Sequence, residues 1–207
     1  MKITLRNTGK RYNREWIFRH LNYEFDAGGS YAITGPNGSG KSTLLQVIAG
    51  AVIHNEGEIL FLPDGASGPV EDLDRFNHLA IAAPYLDLIE EMTGAEFLRF
   101  HHVFKKLTEP VNSILEKVGL GHAMQKQIRY YSSGMKQRLK LAQAFFSDTP
   151  VLLLDEPTSN LDASGIQLYN ELISGNKEKK LIIVCSNDEH EFSFCEHKLS
   201  VTDFKKD

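Results

Sequence analysis

Apolar residues along the chain follow two different periods. Short apolar or alternating runs predict strands at ITL, HLNYEF, SYAIT, GEILFL, HLAIAA, VLLLD, KLIIVCS and HKLSVT. STLLQVIAG and KQRLKLAQAFF carry apolar residues at helical spacing instead. Because strands and helices alternate, the pattern favours a parallel α/β sheet. VLLLD and LIIVC are continuously apolar, which is typical of central strands covered by helices on both faces.

The middle of the chain has a different pattern. Between about residues 84 and 140 the strand patterns disappear, and GAEFLRFHHVFKKL and EPVNSILEKVGL are predicted helices. We therefore expect one domain over residues 1–207, with a core at 1–83 and 141–207 and an inserted helical lobe at about 84–140. Residues 96–140 hold nine Lys or Arg against three Asp or Glu, a local charge of +6. Solvated helix faces explain this charge, and attraction toward phosphates is the functional alternative.

Composition excludes several classes of protein. The 207 residues are 42% hydrophobic and 24% charged, which is ordinary globular usage. No apolar run is long enough to cross a bilayer and no signal peptide is visible, so a cytosolic location is expected. Cys185 and Cys195 are too few for a disulfide framework and lack zinc-ligand spacing. The net charge of −4 predicts no nucleic-acid partner.

A phosphate-binding motif lies between a predicted strand and a predicted helix. Gly35–Ser42 reads GPNGSGKS, which matches GxxxxGK[ST]. In such a loop, backbone N–H groups converge on phosphate oxygens, Lys41 bridges the terminal phosphates and Ser42 offers an oxygen to Mg²⁺. A glycine-rich turn without a ligand is the alternative, but four fixed positions match by accident only about once in a hundred chains of this length.

Two further stretches fit a nucleotide site. VLLLDEP delivers Asp155 and Glu156 to the end of a buried strand, where Asp155 can join a Mg²⁺ shell and Glu156 can orient and deprotonate a water. An acid pair that caps a helix is the alternative. The adjacent acids, with no Asn-Lys-x-Asp, argue against GTPases and most small-molecule kinases. YSSGMKQR, residues 131–138, leads into a helix whose N-terminus can bind an anion or be simply capped.

Together, GPNGSGKS, YSSGMKQR and VLLLDEPTSNLD resemble, in order and separation, the nucleotide-binding subunits of ABC transporters over nearly the whole chain. The resemblance implies a P-loop NTPase (RecA-like) α/β core with an antiparallel β subdomain and an inserted α-helical subdomain. It also implies a second cassette, identical or different, paired head to tail. Two ATP molecules would then lie between one subunit's phosphate loop and the other's signature segment, residues 131–138.

The family's site residues carry over by motif. Phosphates would bind the phosphate loop, which consists of Gly35, Pro36, Asn37, Gly38, Ser39, Gly40, Lys41, Ser42 and Thr43. Ser42 and Asp155 would hold Mg²⁺, and Glu156 would be the catalytic base. The partner's ATP would meet Ser132, Ser133 and Gly134, while SNLD, ending in Asp162, resembles the segment that couples the two sites.

An aromatic residue in the family stacks on adenine, and Tyr12 lies at that position. Stacking would contribute about 1 to 3 kcal/mol by analogy with base–aromatic pairs. Trp16 is the alternative, and core packing is the non-functional interpretation of either ring.

The chain departs from the family in three places, of which the first two are the signature and the segment before the helical lobe. The signature usually reads LSGGQ, whereas here Tyr131, Ser133 and Met135 replace Leu, Gly and Gln. A similar form is familiar among exporter-type cassettes, which favours export. The family also expects a Gln after the strand that precedes the helical lobe, where Ala83, Pro84 and Tyr85 stand instead. Either water or Asp87 would complete the metal shell.

The polar tip of LIIVCSND is the third departure. Asn187 stands where the family has a His that contacts the γ-phosphate and holds the base and the water. An Asn amide can donate a hydrogen bond but is shorter and carries no charge. A helix N-cap is the structural alternative for Asn187, and His190 is a candidate substitute. We therefore predict slow turnover.

The resemblance implies an ATPase, with ATP and Mg²⁺ as cofactors, that docks on an integral-membrane permease at the inner face of the cell membrane. A soluble cassette that remodels a macromolecular partner, as in iron–sulfur assembly, is the alternative. A weakly active regulatory cassette is the third hypothesis.

Overall fold

The computed structural model describes residues 1–66 and 68–205. Its strands are β1 Lys2–Tyr12, β2 Glu15–Phe25, β3 Ser30–Thr34, β4 Glu56–Leu62, β5 Leu79–Ala82, β6 Val151–Asp155, β7 Leu181–Cys185 and β8 His197–Ser200. Its α-helices are α1 Lys41–Ile48, α2 Gly94–Phe104, α3 Val111–Lys117, α4 Ser133–Phe145, α5 Ala163–Asn176 and α6 Glu189–Phe192. All eight predicted strands are present, and β1 and β2 extend beyond their apolar runs.

The strands form two sheets. Five of them make a parallel sheet in the order β5-β6-β7-β3-β8, and β2-β1-β4 make an antiparallel sheet. Every residue of β6 and β7 is buried, so the prediction of central strands covered on both faces is confirmed. The α/β fold with an added antiparallel sheet, expected from the resemblance, is also confirmed.

Side-chain alternation along the parallel strands divides the core into two clusters. Leu152 and Leu154 face the cluster that includes α2, α3, α4 and α5, whereas Leu153 faces α1 and the antiparallel sheet. Each fully buried side chain of this size contributes about 1.5 to 3 kcal/mol of transfer free energy. The sheet is therefore held from both sides, which fixes the positions of its strand ends.

Helices α2 and α4 begin at side-chain caps. Thr93 Oγ1 accepts a hydrogen bond from the Glu96 backbone N–H, and Glu96 Oε2 accepts one from the Thr93 backbone N–H, so α2 starts with a capping box. Ser132 caps α4, which continues through Phe145 and so crosses the predicted lobe limit at residue 140. The division into a core and a lobe stays a prediction.

Helix α5 is absent from the helices that the hydrophobic pattern singled out. Gly165 and Gly175 lower the helix propensity of this segment, which weakens its local pattern. Within residues 1–66 and 68–205, no helix has both the length and the apolar character required to cross a membrane.

Candidate functional site

Three loops meet at the carboxyl edge of the parallel sheet. Strands β6, β7 and β3 are neighbours, so the segments that follow them lie side by side. These segments contain Glu156, Asn187 and the phosphate loop, respectively, and Asp155 is the last residue of β6. Ligands of open α/β sheets bind at this edge, so the topology brings the predicted site residues to the expected place.

The phosphate loop is held by its own lysine. Lys41 Nζ donates to the carbonyl oxygens of Gly35 at 2.8 Å and Pro36 at 3.2 Å. Gly40 has a φ of 104°, and a Cβ there would lie 2.2 Å from Ile17 Cγ2. A side chain at position 40 would therefore clash with β2 as well as strain the backbone. The loop leads into α1, whose first turn has no side-chain cap and presents free N–H groups.

Two cavities lie beside the loop and adjoin each other. The first, of about 270 Å³, is lined by Ile17, Asn37, Gly38, Gly40, Lys41, Ser42, Thr43 and Glu156. The second, of about 330 Å³, is lined by Asn37, Glu156, Thr158, Ser159, Ser186, Asn187, Asp188 and Glu191. Asn37 and Glu156 belong to both, so the phosphate loop, Glu156 and Asn187 face adjoining space.

Asp155 is a buried acid with an unused oxygen. It is 2% exposed, and its Oδ1 has no hydrogen-bond partner among the described residues. Burial raises the pKa of Asp155 to about 6, Glu156 and Glu191 add to the rise, and Ser42 and Lys41 oppose it. An orphaned carboxylate oxygen beside a serine hydroxyl is a donor set that fits a hard cation such as Mg²⁺.

Glu156 has an unusual backbone conformation. Its φ is 43°, in the left-handed region that a non-glycine residue rarely adopts. The Glu156 N–H donates to the Cys185 carbonyl at 2.9 Å, and Glu156 Oε2 accepts from Ser159 Oγ at 3.4 Å. Such strain costs about 1 to 3 kcal/mol and is concentrated at functional sites. The conformation leaves the Glu156 side chain exposed toward both cavities.

Asn187 contacts the phosphate loop across 150 positions of sequence. Its Nδ2 donates to Asn37 Oδ1 at 2.6 Å, and its side chain is exposed to the cavity. The N-cap of α6 is Asp188, which accepts from the His190 N–H at 2.9 Å, so the capping interpretation of Asn187 is wrong. His190 is exposed and is not among the residues that line either cavity.

Tyr85 follows β5, where the family's Gln was expected. Burial raises the pKa of Tyr85 well above its usual range, the charge of Asp155 adds to this rise, and Gln46 opposes it. The hydroxyl thus lies near Asp155 and Gln46, although 40% of the residue is exposed. The charge of Asp87 acts on Lys140 instead. Burial lowers the pKa of Lys140, and the negative charge of Asp87 opposes this lowering. Sequence reasoning missed Gln46, because its place depends on how α1 faces the β5 loop.

The signature segment lines a different cavity. That cavity, of about 470 Å³, is formed by Gly119, Leu120, His122, Ser132, Ser133, Gly134, Met135, Arg138, Asn160 and Asp162. It shares no residue with the two cavities at the phosphate loop. One chain therefore does not bring its own Ser132, Ser133 and Gly134 to its own phosphate loop.

Several predicted signature and coupling residues have structural partners. Ser132 Oγ accepts from the Met135 N–H at 3.2 Å, and the buried Tyr131 hydroxyl donates to the Ala123 carbonyl at 2.8 Å. Asp162 caps α5 by accepting from the Gly165 N–H at 2.8 Å, and it pairs with Arg138 at 3.1 Å. Tyr131 thus has a packing role at a position where the family's usual residue is Leu.

Tyr12 lies at the end of β1 and is 47% exposed, with Lys10 Nζ 4.7 Å from its ring centroid. Two guanidinium groups contact the Trp16 ring, with Arg11 at 5.4 Å and Arg19 at 4.4 Å from its centroid. Neither ring lines the cavity at the phosphate loop, whereas Ile17 does. Sequence reasoning missed Ile17, since no local signal indicates its contact with Gly40.

The sequence is similar to characterised proteins. A family model described as "ABC transporter" matches residues 18–159. The lantibiotic transport ATP-binding protein SrtF of Streptococcus pyogenes is 31% identical over 94% of this chain and 82% of that protein. The cytochrome c biogenesis ATP-binding export protein CcmA of Mesorhizobium japonicum is 34% identical over 85% of this chain and 86% of its own length.

Solved structures share the fold. A structure described as the ATP binding subunit of an ABC transporter superposes with a TM-score of 0.84 at 22% identity, covering 97% of this chain and 86% of the other. The dimeric, post-hydrolysis state of the cassette MJ0796 bound to ADP and Pi gives 0.80 at 22% identity, covering 96% and 94%. At this level of identity, the likeness concerns the fold alone.

Proposed function

Since the chain belongs to the ABC transporter family, we propose that it is an ATP-hydrolysing subunit that energises a separate membrane permease. Closure of a head-to-tail dimer around two ATP molecules would drive the transport step. The observation that carries the proposal is the pair of adjoining cavities that the phosphate loop, Glu156 and Asn187 line at one sheet edge, where Asp155 ends β6.

The phosphate loop would bind the ATP phosphates. Free N–H groups at the start of α1 and the Lys41 ammonium, which already bridges two loop carbonyls, supply positive charge at this place. Mg²⁺ would be held by Asp155 and the Ser42 hydroxyl, and when bound it neutralises charge on the transferring phosphate. A site with few protein ligands suits this ion, which keeps waters and phosphate oxygens in its shell.

Glu156 would be the catalytic base. Its left-handed backbone aims the carboxylate into the cavity next to the phosphate loop, where it would orient a water and accept a proton from it. Asn187 would donate a hydrogen bond to the γ-phosphate from the amide that now contacts Asn37. Because an Asn cannot carry the positive charge of an imidazolium, we propose slow turnover.

The separation of the signature cavity from the cavities at the phosphate loop supports the proposed dimer. Ser132, Ser133 and Gly134 line a space of their own, so they would meet the ATP of a second cassette. Tyr12 would stack on adenine near Ile17, and Asp162 would couple the two sites through its pairing with Arg138. The relative CcmA is named as an ATP-binding export protein, which supports export as the direction.

Glu156→Gln tests this proposal. The variant keeps the phosphate contacts but loses the base, so with ATP and Mg²⁺ it should elute as a dimer in gel filtration. Its hydrolysis should fall by about 10² or more, the typical contribution of general base catalysis. Glu189→Gln, at an exposed carboxylate on α6, is the matched control and should not trap a dimer. A Glu156→Gln protein that stays monomeric and hydrolyses ATP normally would refute the assignment.

A further inference from the structure

A buried carboxylate beside the site has no part in the chemistry proposed above. Glu191 is 4% exposed, on α6, and it lines the same cavity as Glu156 and Asn187. Its charge helps to raise the pKa of Asp155. Burying a third carboxylate next to an acidic pair is unfavourable unless its contacts compensate.

Those contacts go to the turn that follows Glu156. Glu191 Oε1 accepts from the Thr158 N–H at 2.7 Å and from Thr158 Oγ1 at 2.5 Å. Hydrogen bonds to an ionised acceptor are the stronger kind, so Thr158 is held firmly. The turn is closed on itself as well, since the Ser159 N–H donates to the Glu156 carbonyl at 3.1 Å.

The backbone of Glu191 is held by a hydrogen bond from α5. The hydroxyl of Tyr169, a fully buried residue of α5, donates to the Glu191 carbonyl at 2.7 Å. Tyr169 packs edge to face against Phe145 of α4 at a centroid distance of 6.3 Å. A continuous series of contacts thus runs from α4 and α5 through Glu191 to Thr158, two residues after the strained Glu156.

We propose that Glu191 is a positioning residue that holds the turn at residues 156–161, and thereby the Glu156 carboxylate, in the geometry that hydrolysis requires. This inference rests on the proposed function. Glu191 touches neither the phosphate loop nor the Asp155 side chain through any hydrogen bond found among the described residues. Its effect should therefore fall on kcat rather than on ATP binding.

Two substitutions separate positioning from chemistry. Glu191→Gln keeps an oxygen that can accept from both Thr158 donors, whereas Glu191→Ala removes the acceptor. For a positioning role we expect kcat to fall about 10- to 100-fold in Glu191→Ala, as displacement of a catalytic group by about 1 Å does, with KM for ATP within about twofold. Glu191→Gln should keep most of the activity. Equal losses in both variants, or a rise in KM without loss of kcat, would overturn the proposal.

Amide hydrogen exchange supplies a readout that needs no ATPase activity. Glu191→Ala should speed exchange in peptides covering residues 156–162 at least about tenfold, while those covering the phosphate loop keep their wild-type rates. Glu189→Ala, on the same helix, is the matched control. Unchanged exchange in the 156–162 peptides of Glu191→Ala would refute the positioning role.

Thr158→Val provides a milder test if Glu191→Ala does not fold. It removes the hydroxyl donor but keeps the backbone bond, so a smaller acceleration of exchange in the same peptides is expected. No acceleration in Thr158→Val would count against the proposal. A wild-type protein that neither binds nor hydrolyses ATP would refute the proposed function, while the exchange data would still decide the structural role of Glu191.

Discussion

Asp155 should make the folded protein less stable as the pH rises. Its pKa is raised from 3.8 to about 6 by burial, and the residue is 2% exposed. A shift of this size corresponds to about 3 kcal/mol, because one pKa unit is about 1.4 kcal/mol. The folded state binds the proton more tightly than the unfolded chain does. The contribution of Asp155 to the free energy of unfolding is therefore fully present below the unfolded pKa, and it is lost as the pH rises through about 6.

Asp155→Asn removes this penalty while keeping the shape of the side chain. Without nucleotide, the variant should be more stable than the wild type by only about 0.5 kcal/mol at about pH 4 and by about 3 kcal/mol at about pH 8. Urea denaturation at a series of pH values measures the difference, and Asp203→Asn, at an exposed carboxylate, controls for the loss of a surface charge.

Asp155→Asn should also lose the contribution of the carboxylate to Mg²⁺ binding. Mg²⁺ should add to the thermal stabilisation of the wild type by ATP but not to that of Asp155→Asn, because the carboxylate that would hold the ion is gone. A stability difference independent of pH, or a variant less stable than the wild type at pH 8, would refute the reasoning. Such a result would mean that Lys41 and Ser42 compensate the buried charge fully.

Further predictions concern the phosphate loop, the β7 tip and the adenine position. Asn187→Ala should lower the rate of ATP hydrolysis by about 10² to 10³, because this is the usual cost of losing one positioned donor, and Asn187→His should raise the rate. Unchanged hydrolysis in Asn187→Ala would exclude a γ-phosphate role. Lys41→Ala should abolish tight binding of labelled ATP, since Lys41 also holds two loop carbonyls, and wild-type affinity would contradict this. Tyr12→Ala should weaken ATP binding by about 1 to 3 kcal/mol in calorimetry while Trp16→Ala should not, and the reverse result would move the adenine contact to Trp16.

Much of the fold could be read from local patterns. Continuous apolar runs predicted β6 and β7 because a strand buried on both faces needs no polar positions. The phosphate loop was recognisable because its glycines, its lysine and the flanking strand and helix are adjacent in sequence. Helix α5 was not singled out, since two glycines weaken its local preference and its stability comes from packing.

The contacts that shape the site were not accessible in the same way. Asn187 reaches Asn37, 150 positions away, and Glu191 reaches Thr158, 33 positions away. Ile17 becomes part of the phosphate-loop cavity only because Gly40 leaves room for it. No periodicity records such pairs, because each depends on which strand ends the sheet order places side by side.

The sequence by itself determined which residues can bind phosphate, hold a cation and act as a base, because these capacities belong to side chains and to motifs of a few residues. Only the tertiary structure decided the burial, the orientation and the contacts of these side chains. The sheet order and the packing of two clusters bury Asp155 with one carboxylate oxygen unpaired among the described residues, place Glu156 in a strained conformation and set Asn187 against the phosphate loop. Burial and long-range contacts fix pKa values and orientations, and they exist only once the chain has folded.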